Sequence, residues 1–146
     1  MTAGRELDAL VAEKVMGWQR FPYVLPGAGQ HVDGDVVERW GATTVTVNYC
    51  PPGRVHVSTI RTVPFYSTSI DAAWTVVEKL RDTNASVELS AYRHEVKDDV
   101  PLLNRVAVWG GNAIGMETKV AETTAETMPL AICRAALAAV GVEVPA

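Results

Sequence analysis

PFYSTSIDAAWTVVEKL, residues 64–80, carries three signals in order: a strand end, a run of hydroxyl side chains and an amphipathic helix. Ser67, Thr68 or Ser69 can accept hydrogen bonds from the free amides that open the helix, and Asp71 sits favourably against its dipole. Ile70, Ala73, Trp74, Val77 and Leu80 form one apolar stripe, while Glu78, Lys79, Arg81 and Asp82 end the element in water. A stripe of this kind is expected to cover a sheet.

Working outward, the upstream chain offers that sheet. Thr43–Tyr49 alternates with β-branched residues, and Val55–Val63 repeats the pattern after Pro51-Pro52-Gly53, so the two are expected to pair as a hairpin. Before them, residues 21–35 contain Pro22, Pro26, Gly27, Gly29 and Gly34, a density of helix and strand breakers that predicts a long loop. Leu7, Leu10, Val11 and Val15 recur at helical spacing, with Glu6, Asp8, Glu13 and Lys14 on the expected wet face. Gly17 is placed to end this first helix, and Trp18 to fold back into the core.

Downstream, Ser86–Arg93, Arg105–Trp109 and Ile114–Ala121 alternate as three further strands, the last two joined through Gly110-Gly111-Asn112. Thr123, Thr124 or Thr127 can cap a final helix through Ala131–Val140, in which Arg134 is the only charge, so that helix is expected to be buried on most sides. The order α, β, β, α, β, β, β, α predicts an α+β fold, a mostly antiparallel sheet covered by about three helices.

Composition sets the boundaries. The 146 residues suit one domain, which at this length buries roughly 68% of its unfolded surface. A net charge of −4 with scattered basic residues argues against a DNA or RNA polymer as partner. No apolar run reaches the roughly 18 residues of a membrane span, and Cys50 and Cys133 have no ligand spacing, which together favour a cytoplasmic protein with free thiols. His31, His56 and His94 share no spacing with carboxylates, thiols or a nucleophile, so neither a metal, a cofactor nor a catalytic set is expected.

Binding residues are a different matter. Tyr66, Ser67 and Thr68 put hydroxyls and an aromatic ring beside the free amides of a helix start, where an anion can sit; the competing use is simple capping and packing. Arg39-Trp40 and Tyr92-Arg93-His94 pair a flat ring with a positive charge, and Trp109 stands near Asn112 at a hairpin edge. Stacking combined with an Arg fork on phosphate suits a small anionic, nucleotide-like ligand. Adjacent strand residues point to opposite faces, so Arg39 and Trp40 do not share a pocket if that segment is regular.

Three segments, LDALVAEKVMGW from Leu7, PFYSTSIDAAWTVVEKL from Pro64 and the AICRAALAAVG region ending at Gly141, together resemble the phage ABA sandwich domain family. The resemblance implies a layered α/β/α sandwich and a phage or prophage accessory protein, with no catalytic residues to carry over. By analogy with small non-enzymatic phage proteins, it suggests an anti-defence factor that sequesters a nucleotide-derived immune signal, with a protein-binding inhibitor as the alternative. Four tryptophans and the apolar third helix add the expectation of a homo-oligomer.

Overall fold

The computed structural model describes residues 3–23, 36–40, 43–53, 62–92, 101–111 and 117–144. Its elements are α1 (Arg5–Lys14), β1 (Gln19–Tyr23), β2 (Val36–Trp40), β3 (Thr43–Cys50), α2 (Ile70–Asp82), β4 (Ala85–Tyr92), β5 (Leu103–Gly111), β6 (Glu117–Ala125) and α3 (Met128–Ala139). The strands form two three-stranded antiparallel sheets, ordered β1-β3-β2 and β4-β5-β6. The fold is therefore α+β.

α3 is the hub. Its Leu130, Ala131, Ile132, Cys133, Ala135, Ala136 and Leu137 are all buried, and it packs on β5, β6, α2 and α1. Small alanines allow neighbours to approach from several sides, which is why a helix with a single charge needs no broad wet face here. Val106 and Val108 of β5 join the same core as Leu7, Val11, Val76 and Tyr66. The thiol of Cys133 is a member of that core, and burial pushes its pKa upward.

Several expectations are corrected. β1 extends through Phe21, Pro22 and Tyr23, placed in a loop by their breaker content; the partner strand β3 draws them into a ladder that pairs Gln19 with Cys50 and Tyr23 with Thr46. β2 was not signalled by any alternation, and it pairs Val36–Trp40 with Val47–Thr43. β1 lies on one edge of β3 and β2 on the other, and the expected hairpin partner Val55–Val63 falls almost wholly outside the described residues. Thr62 and Val63 belong to no strand, and residues 54–61 lie outside the described residues.

α2 is rotated from the expected stripe. Ala73, Val76, Val77 and Leu80 are buried, whereas Ile70 is 49% and Trp74 43% exposed. Turning the helix toward Val76 sets a β-branched residue and the small Ala73 in the core it shares with its neighbours α3 and β4, and it leaves the bulkier indole at the boundary. Its N-cap is Ser69, whose hydroxyl accepts from the Ala72 amide at 3.4 Å. Trp18 is half-buried against the core rather than within it, beyond Gly17, whose φ of +73° suits glycine. Thr123 and Thr124 lie inside β6, and the N-cap position of α3 is Thr127, whose side chain makes no capping hydrogen bond, with Pro129 in the first turn.

Candidate functional site

The outer face of the β4-β5-β6 sheet holds the densest cluster of chemistry among the described residues. Val106 and Val108 face the core, so Arg105, Ala107 and Trp109 face away from it. Glu88 and Glu122 stand opposite Ala107 on the two flanking strands, and the short alanine lets the longer side chains close above it. Arg105 then reaches Glu88 at 3.3 Å and Glu122 at 3.0 Å, while Lys119 reaches Glu122 at 2.5 Å. The hydrogen bonds from Arg105 and then from Lys119 hold the Glu122 carboxyl down at about 2, and the same contact with Glu122 raises Arg105.

A β-bulge builds this cluster. Val108 pairs with Ala121, but Trp109 pairs with Lys119, so Val120 is skipped. In an unbroken ladder Val120 would face the same way as Glu122, and Lys119 would point to the opposite side. The extra residue reverses that alternation and brings the Lys119 ammonium over the Trp109 ring, 6.0 Å from its centroid. A depression of about 500 Å³ beside them is lined by Ser86, Val87, Glu88 and Trp109. Gly110 makes room for the bulge, since a Cβ there would lie 2.9 Å from Val120 Cγ2.

Among the described residues singled out in the sequence, Trp109 alone falls in this cluster. Tyr92 shares its face but pairs with Leu103, six residues from Trp109 along β5, a separation of roughly 20 Å. Arg39 and Trp40 are consecutive residues of β2, in register with Thr44 and Thr43 of β3. Arg93, His94 and Asn112 lie outside the described residues. Arg105, Lys119, Glu88 and Glu122 were missed because alternation alone does not show a bulge; the valine beyond the Gly110-Gly111 pair was the available hint.

The expected anion position at Tyr66, Ser67 and Thr68 is corrected by what occupies it. Ser67 and Tyr66 are buried, and the Ser67 amide donates to Asp8 Oδ1 at 2.7 Å. Ser67 Oγ accepts from the Gly4 amide at 3.0 Å, and Arg5 pairs with Asp8 at 3.3 Å while donating to the Val63 carbonyl at 2.8 Å. The anion at this turn is the protein's own carboxylate, so Asp8 leaves the wet face of α1 and is fully buried. Tyr66 packs below it, its hydroxyl pushed up to about 12 by burial first and then by Cys133 and Asp8. Only Thr68 remains exposed.

A second concavity, of about 880 Å³, runs beside β6, lined by Thr123, Thr124, Arg134 and Ala138 and by the tail residues 141–144. At and just before α2, Phe65, Ile70 and Trp74 are exposed, Phe65 to 51%, and the Arg5 guanidinium covers the Phe65 ring at 4.6 Å.

Two antiparallel sheets packed with three helices define a small α+β sandwich domain. The chain belongs to the phage ABA sandwich domain family, whose model matches residues 9–137. Comparison with curated proteins and with solved structures finds no match. Among the described residues, no helix is long and apolar enough to cross a membrane.

Proposed function

We infer that this protein is a phage or prophage accessory protein of the host cytoplasm that captures a small nucleotide-derived signal without cleaving it, on the outer face of the β4-β5-β6 sheet. The observation that carries this reading is the bulge-aimed Lys119 above Trp109, with Arg105 on the same face. Trp109 offers a platform for a base, worth roughly 1–3 kcal/mol per stacked base. Lys119 and Arg105 already share one carboxylate, Glu122, so a ligand phosphate competes for that position with geometry those cations accommodate. Ser86 and Glu88, in the adjoining depression, supply polar contacts for a base edge.

Calorimetry against a panel of cyclic nucleotides and ADP-ribose derivatives tests this. At least one is expected to bind at micromolar concentration and to be recovered intact, with Trp109→Ala weakening it about tenfold, the lower part of the stacking range. Absence of binding across the panel overturns the reading, and recovery of altered ligand replaces it with a hydrolase.

A second reading, a module that inhibits a host or phage protein, is favoured by the exposed trio Phe65, Ile70 and Trp74. Co-purification from infected cells separates the two. A stoichiometric protein lost on Trp74→Ser supports the module, and a heat-released ultraviolet-absorbing ligand supports capture.

A further inference from the structure

The groove beside β6 is independent of the Trp109 face, and both its walls are fixed. Thr123 Oγ1 donates to the Ala131 carbonyl at 2.9 Å, tying the strand to the first turn of α3. At the other end, Gly141 turns with φ +80°, and the Val142 amide donates to the Leu137 carbonyl at 2.9 Å, which holds the tail residues 142–144 alongside. Between these walls lie about 880 Å³, within the range of roughly 300–1,000 Å³ that small-molecule sites occupy.

The lining specifies a chemical class. Ala138, Val142 and Val144 give an apolar wall, and the β6 edge at Thr123 and Thr124 completes the lining. Arg134, half-buried and the single charge on α3, lies four residues before Ala138 on the same helix face, toward the groove. A guanidinium is suited to a bidentate contact with a carboxylate or a phosphate monoester oxygen pair. Glu143, also in the lining, disfavours a second negative charge. We propose that this groove is a binding site for an organic monoanion with an apolar body, its charged head on Arg134 and its chain along Ala138, Val142 and Val144.

Octanoate is a suitable probe, with 1-octanol as its uncharged counterpart and inorganic phosphate as an anion lacking the chain. Titration followed by methyl NMR is expected to give saturable shifts at Val142 and Val144 with octanoate, and at least tenfold weaker effects with octanol and phosphate. Arg134→Gln should weaken octanoate at least tenfold. Ala138→Glu, at an exposed helix position that leaves the core intact, should do the same by repulsion even if the Arg134 variant folds poorly. Trp109→Ala should leave octanoate binding unchanged, which separates this site from the nucleotide reading. The proposal is overturned if the valine methyls show no saturable shift, if octanol or phosphate binds as well as octanoate, or if Ala138→Glu binds like the native protein.

Discussion

Asp8 shows how a single side chain links two distant parts of the chain. In sequence it is one more acid in the first turn of a helix, where it also suits the dipole. In the structure it is removed from water and compensated by the Ser67 amide and Arg5, so α1 and the turn before α2 are joined through a charged hydrogen bond. Asp8→Ala leaves a buried amide without its acceptor and is expected to cost about 2–3 kcal/mol. Asp8→Asn keeps an acceptor oxygen and should cost about 1 kcal/mol. Urea unfolding distinguishes these; equal effects for both variants would show that the hydrogen bond at Ser67 is not what stabilises the contact.

At the scale of elements, the decisive device is the bulge in β6. Gly110→Ala places a methyl against Val120, a stiff β-branched residue, and overpacking of this kind costs about 1–3 kcal/mol. Val120→Ala removes the obstructing methyl, so the double variant should recover most of the loss; a thermal melt that shows additive losses instead would rule out the close approach as the cause. The cross-strand row Glu88, Arg105, Glu122 and Lys119 makes a separate prediction about pH. Because the Glu122 carboxyl is held at about 2, below its ordinary 4.5, its stabilisation is present above pH 4.5 and is lost as pH falls toward 2. Glu122→Gln should therefore flatten the stability profile between those values and leave its shape above pH 5 unchanged; the effect is small, since the pairs are solvent-exposed. A variant that retains the native acid slope would assign that slope to other groups.

For the whole molecule, the rotation of α2 separates stability from recognition. Val76 is buried and Val76→Ala should cost about 2 kcal/mol, whereas Trp74→Ser, despite the larger change in side chain, should stay within about 0.5 kcal/mol. A strongly destabilised Trp74→Ser would place that indole in the core and remove the exposed trio as a surface for a partner. The cross-strand charge row, the groove beside β6 and the exposed Phe65, Ile70 and Trp74 thus lie outside a core organised by α3.

Local pattern was enough to read the three helices, the strands β3, β4 and β5 to within about two residues of their ends, and the α+β class, because period is a property of neighbouring residues; β6 runs past the expected end at Ala121 to Ala125, and residues 114–116 of that expected strand lie outside the described residues. The family was legible in the helical segments for the same reason. Pairing was not: β1 and β2 exist because β3 offers two edges, and local breaker content in Phe21–Tyr23 does not outweigh a ladder contributed from elsewhere. The site depended on the same long-range geometry. A one-residue insertion in a ladder decides which side Lys119 faces, and a carboxylate from α1 decides that the amide of Ser67 already has its anion. Side-chain direction across a sheet and the pairing of buried charge are set by partners far apart in sequence, so only the folded chain reveals them.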